Sequence, residues 1–377
     1  MGHARVISLV CGLLFVAFSF CYLYLYQRNL LALAQNILSD GRTIYHPLSS
    51  TLVIISVLLF VELLFRHFVF VPMRFKALHW FPSALLLGLV ADFNFTALST
   101  QHSGATVMGF LVVLLLGLLV IWVARQMFDG RTGKSDIWSY LCSNLLIMGA
   151  LFATVLWMGN TNQLLHNELE MEHHIRQGHY DQALRVGQES DRISRTMMSM
   201  RMYCLSRKGT LGDELFHYHN NLSSDNILPT FADTLRCSNL PHMYSVLIGH
   251  FPARSDVSSG RFLEFMANDT TANQAAVGDL LLSAYLLDRR LTDFVETLPR
   301  YYHINDSLPL HYQEAYTLSQ TLEVAAADTS YHSACQPRLD RFLELRNATQ
   351  PTEPSETIHD YDNTYWYYFF DYSVIRL

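Results

Sequence analysis

Apolar residues fill long uninterrupted runs in the first 159 residues, whereas residues 160–377 place apolar and polar positions at helical spacing. A helix needs about 20 consecutive apolar residues to cross roughly 30 Å of bilayer hydrocarbon. Five runs reach that length, at about 6–26, 47–71, 79–98, 106–124 and 137–158. The pattern therefore predicts an all-α protein, with a bundle of about five transmembrane helices in residues 1–159 and an extracytoplasmic helical domain in residues 160–377.

The first apolar run differs from a secretory signal peptide in two ways. It is about 21 residues long, whereas the apolar region of a signal peptide has roughly 7–15. It is also followed by Tyr22-Leu23-Tyr24-Leu25-Tyr26, which offers no small-residue cleavage site. We interpret it as an uncleaved first span.

The basic residues that flank the runs predict an orientation. With a cytoplasmic N-terminus, the cytoplasmic flanks carry six Lys and Arg residues and the outer loops carry two, Arg28 and Arg42. Cytoplasmic loops are enriched in these residues. The expected location is a bacterial inner membrane, crossed several times, with the C-terminal domain in the periplasm.

Composition and charge support the division into two halves. Half of all residues are hydrophobic and only 16% are charged, although about a quarter is usual in soluble domains. Residues 1–159 carry a net charge of +4, and residues 160–377 carry −11. These values exclude a soluble enzyme and a nucleic-acid-binding protein of the basic-patch kind, and we expect membrane lipids as partners.

Three charged residues fall inside predicted spans. Glu62 and Arg66 are one helical turn apart and can pair, while Asp92 lies towards the end of the third span. Such residues are costly to bury in lipid and are candidates for a functional role. The sequence leaves open an internal pair, a contact with another helix or subunit, and ion or proton transport.

The segment around Gly178 predicts a tight turn between two helices. Gly178 allows a sharp reversal, Ala183 allows close approach of the helices, and Tyr180 fills the space between them. Together with Leu184, these residues resemble the turn of a tetratricopeptide repeat. A second copy is centred on Gly209, 31 residues later, and a third fragment covers 284–294. The resemblance implies a divergent array of helical hairpins, with Tyr180 as a candidate partner-binding residue.

The whole chain is also similar to an uncharacterised class of bacterial multi-span envelope proteins. The similarity lies in the N-terminal spans, in the segment Gln27–Gln35 after the first span, and in the helical C-terminal part. It implies an architecture and no activity.

The aromatic segment near the C-terminus includes Tyr365, Trp366 and Tyr367. Because six consecutive aromatic residues are poorly compatible with water, they are expected to dock on the helical array or on the membrane surface. The alternative is an exposed recognition segment for a partner. Both interpretations make these three residues candidates for binding.

Metal and redox chemistry have weak signals. His166, Glu170 and His173 share one face of a predicted helix and form a weak candidate metal site. The sequence contains no His-Glu-x-x-His and no Cys-x-x-Cys motif, and no cofactor is expected. The spacing of Cys204, Cys237 and Cys335 leaves open whether two of them form a disulfide.

The leading hypothesis is a membrane-anchored scaffold that binds a protein partner through the helical domain in the cell envelope. The alternative is an envelope glycan or lipid-linked sugar transferase, in which Asp40, Arg42 and His46 of the first outer loop would be catalytic. A further alternative is an accessory subunit of a transporter.

Overall fold

The structure is a computed structural model that describes most of the chain. The described residues are 2–39, 42–43, 45–91, 114–115, 117–119, 121–123, 126, 137–188, 193–218, 223–229, 240–250, 258–324, 331–347 and 358–374. Within these ranges the regular structure is entirely helical, which confirms the predicted all-α class. The chain forms two compact units, residues 1–166 and 167–377, and each is described by itself.

The first unit begins with three helices. Helix α1 (Gly2–Phe20) continues into a π-helical turn at Cys21–Tyr26. Helix α2 (Arg28–Leu38) is amphipathic, and Leu30, Leu31, Leu33 and Ala34 are buried on one face of it. Helix α3 (Pro47–Phe68) begins with proline at its first position, where the missing N–H is not needed.

The second half of this unit packs around α5. A 3₁₀ segment (Met73–Trp80) leads into α4 (Phe81–Ala91), and both pack on α5 (Ile137–Met158), as does α1. The Trp80 ring stacks on the Phe15 ring at 4.4 Å. Such stacking adds specificity to an otherwise aliphatic core.

Asn144 is the main polar contact inside this unit. Its side chain is fully buried, and its Oδ1 accepts the N–H of Ala77 at 2.7 Å. Its amide nitrogen lies within 3.3 Å of the carbonyl oxygens of Met73, Arg74 and Tyr140. One side chain therefore satisfies several main-chain groups of the 3₁₀ segment, which lacks a full helical ladder of its own.

Among the described residues, three helices are long and apolar enough to cross a membrane, fewer than the five predicted. They cover Ala4–Tyr26, Pro47–Phe68 and Ile137–Met158 and coincide with the first, second and fifth predicted spans. The third predicted span enters as the 3₁₀ segment and α4, whose 11 described residues extend about 16 Å. The rest of it, and most of the fourth, lie outside the described residues.

Large apolar side chains cover the outer surface of the first unit. Of the exposed large hydrophobic side chains in the described ranges, all but three belong to it, and Leu146 and Trp157 are each 76% exposed. In water such a surface would drive association. Lipid hydrocarbon is the solvent that suits it.

The second unit contains the remaining helices of the described ranges. They are α6 (Gln163–Arg176, which begins in the first unit), α7 (Tyr180–Arg185), α8 (Arg195–Lys208), α9 (Leu211–Glu214), α10 (Leu240–Ile248), α11 (Ser259–Met266), α12 (Gln274–Leu287), α13 (Leu291–Thr297), α14 (Leu310–Thr321), α15 (Gln336–Asn347) and α16 (Tyr365–Val374). Helices α8, α12 and α14 are buried along most of their length and form the centre of the unit.

The same turn joins three pairs of helices, and α10 and α11 lie between the second pair and the third. Gly178, Gly209 and Arg289 have φ of +75°, +70° and +58°, and each stands two residues before the next helix. In each turn the N–H of the following residue bonds to the carbonyl five positions back, with N···O distances of 2.8–3.1 Å. This is the Schellman arrangement, which satisfies the last carbonyls of the first helix. We call the pairs α6–α7, α8–α9 and α12–α13 helix–turn–helix units.

These units pack on one another. Helix α7 packs on α8, α9 packs on α12, and α13 packs on α14. Gly212 of α9 permits one close approach, because a Cβ there would lie 2.6 Å from Pro309. The second helices are short, with 6, 4 and 7 residues in α7, α9 and α13.

Candidate functional site

The aromatic C-terminal helix α16 is docked in the second unit. Tyr365 and Trp366 are fully buried, and Tyr367 is half-buried. Helix α16 packs on α14, and the Trp366 ring also lies near the Phe342 ring of α15. In this arrangement the first two aromatic side chains have no surface to present to a partner.

Glu314 of α14 is the polar centre of this contact. Its side chain is 1% exposed, and its Oε2 accepts the N–H of Tyr365 at 2.9 Å. Its main-chain oxygen accepts the indole N–H of Trp366 at 2.9 Å. One residue therefore holds both the first backbone N–H of α16 and its largest side chain.

His311 completes the polar centre, and its hydrogen bonds define its tautomer. The backbone N–H of Phe216 can only donate, so Nε2 of His311, 3.3 Å away, must accept. The proton is then on Nδ1, which donates to Glu314 Oε2 at 2.9 Å. A neutral imidazole thus links the segment after α9 to the residue that holds α16.

Aromatic and arginine side chains extend this contact. Phe216 lies 5.1 Å from Tyr365 and 4.9 Å from Tyr368, ring centre to ring centre. The Tyr368 hydroxyl donates to the carbonyl of Leu287 at 2.7 Å, and Arg289 lies over the Tyr368 ring at 5.1 Å. Helix α16 is therefore fastened to the turn of the third helix–turn–helix unit as well as to α14.

Tyr180 lies between the first and second helix–turn–helix units. It is half-buried, with its ring edge-on to that of Tyr203 of α8 at 6.2 Å. Next to it, Lys208 Nζ lies 2.9 Å from Asp181 and 3.4 Å from Glu214. The hydrogen bond from Lys208 holds the pKa of Asp181 below its usual range, and the same bond raises the pKa of Lys208.

Arginine stacking on aromatic rings recurs throughout the second unit. Guanidinium groups lie 4.0–5.6 Å from ring centres in six pairs: Arg201–Tyr218, Arg289–Tyr368, Arg290–Tyr285, Arg300–Tyr301, Arg338–Tyr361 and Arg346–Phe370. A planar guanidinium stacks on a ring in a way that an ammonium group does not. Residues 160–377 contain 16 Arg and one Lys, and this stacking gives a physical reason for that preference.

Asp279 of α12 is a partly buried carboxylate that accepts hydrogen bonds from two tyrosines. Its Oδ1 accepts the Tyr302 hydroxyl at 2.5 Å, and its main-chain oxygen accepts the Tyr312 hydroxyl at 3.2 Å. Burial raises the pKa of Asp279 above its ordinary value, and the hydrogen bond from Tyr302 opposes that rise only in part. Its contacts tie α12 to α14 and to the segment before α14.

The three residues of the candidate metal site have separate contacts. His166 Nε2 lies 2.9 Å from the carbonyl of Asn160, and His173 Nε2 lies 3.1 Å from the Gln177 amide. Glu170 is close to His174, at 4.0 Å. Across the ranges that the structure describes, no three His, Cys, Asp or Glu residues come together as a metal site.

The remaining predicted residues fall in the first unit or outside the described ranges. Asp40 and Asp92 lie outside them, and Arg42 and His46 are exposed. Glu62 is buried and lies 3.9 Å from Arg66, which is half-exposed. The spacing therefore places Glu62 and Arg66 side by side, and Asp92 stays a prediction.

The cysteine residues give no disulfide within the described residues. Cys204 is fully buried and Cys335 is half-buried, and both are free thiols, while Cys237 lies outside the described ranges. Burial raises the pKa of the Cys204 thiol to about 12. A thiol in that state is a packing group and a poor nucleophile.

The fold defines an all-helical protein in which span-length apolar helices precede a unit of repeated helix–turn–helix pairs closed by an aromatic helix. The chain matches the model of a family of unknown function, DUF6057, over residues 3–247 and 251–371, and it belongs to that family. No curated protein and no solved structure matches it. The expectation that the chain belongs to an uncharacterised family is therefore confirmed. Membership of this family assigns no activity.

Proposed function

We propose that this chain is a membrane-anchored scaffold whose second unit binds a protein partner. The observation that carries the proposal is the repetition of one turn at Gly178, Gly209 and Arg289, with each helix–turn–helix unit packed on a later element. Stacked helical pairs of this kind form extended surfaces that bind protein segments. The turn residues are also those that resemble a tetratricopeptide repeat.

The docked C-terminal helix supports the same proposal. Repeat arrays need a terminal element that covers the apolar face of the last repeat. Helix α16 does this for α14 through Tyr365 and Trp366, which are fully buried. In the proposal the aromatic segment closes the array, and the partner binds elsewhere on it.

The partner-binding surface is proposed at α10 and α11. Both helices pack on α12, and each presents one large apolar side chain to solvent, Val246 at 65% and Phe265 at 71% exposure. Apolar anchors surrounded by charge are typical of protein interfaces. Because residues 160–377 carry a net charge of −11, the partner segment is expected to carry an apolar anchor flanked by Lys or Arg.

The membrane placement belongs to the same proposal. The exposed apolar faces of α1, α3 and α5 support an anchor in lipid. The distribution of basic residues supports a cytoplasmic N-terminus, which with five spans would place the second unit in the periplasm of a bacterial envelope.

The test uses photocrosslinking amino acids in the full-length chain within its native membrane. Position 265 and position 246 are expected to crosslink to one discrete protein, while position 344, exposed on α15, gives no adduct. Phe265→Glu is expected to abolish co-purification of that protein, whereas Leu322→Glu, the same change at another exposed apolar residue of α14's C-terminal end, preserves it. An equal loss in both variants, or no adduct from position 265, would contradict the proposal.

A further inference from the structure

A cavity of about 600 Å³ lies in the first unit between α2 and the adjoining ends of α3 and α4. Its volume falls within the roughly 300–1,000 Å³ of typical small-molecule sites. All of its lining residues lie in the described ranges and within this one unit, and they include Gln35, Leu38, Ser49, Val53, Ile54 and Leu89. The wall carries no charged side chain.

The polar and apolar parts of the wall are separated along α3. Ser49 and Ser50 lie in its first turn, and Val53 and Ile54 lie one turn further along. At 1.5 Å per residue, Val53 is about 9 Å beyond the start of α3 at Pro47. The cavity is therefore polar at the end of the span and apolar at greater depth, which is the polarity profile of the headgroup boundary of a bilayer.

The cavity opens towards the surface that faces hydrocarbon. Val53 and Leu89 line it and are 63% and 49% exposed, and the neighbouring Leu52 is 51% exposed. At the other end, Leu38 of α2 is 74% exposed at the rim. Exposed apolar side chains of α3 and α4 therefore border the cavity.

The polar groups at the mouth suit an uncharged ester or hydroxyl. The amide nitrogen of Gln35 donates to the Thr43 hydroxyl at 2.9 Å, which leaves the Gln35 amide oxygen as an acceptor. Tyr45 also lines the cavity, and its buried hydroxyl makes no hydrogen bond among the described residues. Hydroxyl and amide groups above an apolar slot match the glycerol-ester region of a lipid above its acyl chain.

We infer that this cavity binds one acyl chain of a membrane phospholipid, with the ester region at Gln35 and Ser49. Helix α2 forms the outer wall of the site. The inference rests on the membrane placement proposed above, and it is independent of the proposed partner surface because it uses only residues of the first unit.

The test is native mass spectrometry of the full-length chain, purified in a mild detergent and titrated with 1-palmitoyl-2-oleoyl-phosphatidylethanolamine. The wild-type chain is expected to retain one phospholipid per chain. Val53→Trp, which fills the cavity, is expected to weaken retention at least tenfold, while Leu52→Trp, the neighbouring change at the same depth outside the cavity, retains it. If Val53→Trp does not fold, Ala34→Leu fills the same space from α2.

Three results would overturn the inference. The first is a wild-type chain that binds no phospholipid at saturating concentration. The second is equal occupancy in the wild type and in the folded cavity-filling variant. The third is a bound species whose mass identifies a polyisoprenoid in place of a phospholipid.

Discussion

Glu314→Ala is expected to release α16 from the second unit. The change removes the side-chain acceptor of two buried donors, the Tyr365 N–H and the His311 Nδ1–H, each at 2.9 Å. Leaving a buried donor without a partner costs about 1–3 kcal/mol. Two such donors therefore cost about 2–6 kcal/mol, which is a large part of the roughly 5–15 kcal/mol that stabilises a typical domain.

The matched control is Glu314→Gln, whose amide oxygen can accept both hydrogen bonds. It loses only the charge assistance, about 1 kcal/mol per bond, and it relieves the desolvation of a buried carboxylate. We therefore expect less than half of the loss seen with Ala. A second control, Glu344→Ala, changes an exposed residue and is expected to stay within about 0.5 kcal/mol of the wild type.

The assay is hydrogen–deuterium exchange of the full-length chain, read by mass spectrometry on peptides that cover residues 358–374 and 195–208. Local opening appears as faster exchange in the released element. Glu314→Ala is expected to accelerate exchange in α16 and to leave α8 unchanged. Unchanged exchange in α16, or equal acceleration by Gln and Ala, would refute the role assigned to Glu314.

Three further changes test other parts of the second unit. Gly209→Ala places a Cβ at φ +70° and is expected to lower the free energy of unfolding by about 1–2 kcal/mol, measured by denaturant unfolding. Its control, Gly260→Ala in α11, is expected to be nearly neutral. Equal effects of the two changes would contradict the turn geometry. Tyr365→Phe is expected to be neutral or stabilising, because its buried hydroxyl has no partner among the described residues, and a clear loss of stability would show a hydrogen bond there. Asp279→Asn is expected to be more stable than the wild type at pH 7. Because the pKa of Asp279 is raised in the folded state, the stability of the wild type falls as pH rises from 3.8 through the folded pKa. The stability difference between Asp279→Asn and the wild type should therefore disappear below pH 3.8. A difference that stays constant across pH would contradict burial of the carboxylate as its cause.

The turns of the second unit show what local sequence could predict. Gly178 and Gly209 were recognisable because glycine adopts positive φ at little cost and because apolar residues follow at fixed positions. The third turn lies within the predicted fragment 284–294, and its residue with positive φ is Arg289. An arginine in that conformation is uncommon, and its contact with Tyr368, 79 residues away, is not visible in the local pattern.

The docking of the C-terminal helix was predictable only in outline. Six consecutive aromatic residues indicate that the segment is buried, but they do not indicate which helix it packs on. The acceptors that hold α16 belong to Glu314, 51 and 52 residues before Tyr365 and Trp366. A glutamate in a predicted amphipathic helix is ordinarily assigned to the solvent face, so no local signal singled it out.

The span count shows the limit of hydropathy. The first, second and fifth apolar runs form single helices of 22 or 23 residues. The third run includes Pro82 and follows a 3₁₀ segment whose main chain depends on Asn144, which lies 67 residues after Ala77. Apolar composition alone does not distinguish such a segment from a continuous helix.

The most direct test of the scaffold proposal is the absolute mass of the particle purified from native membranes in a mild detergent, measured by native mass spectrometry with peptide identification. The account predicts one other protein at a fixed ratio to this chain, lost in Phe265→Glu and kept in Leu322→Glu. A particle that contains only this chain and lipid in all three preparations would contradict it, and Asp40, Arg42 and His46 would then be the residues to test for catalysis.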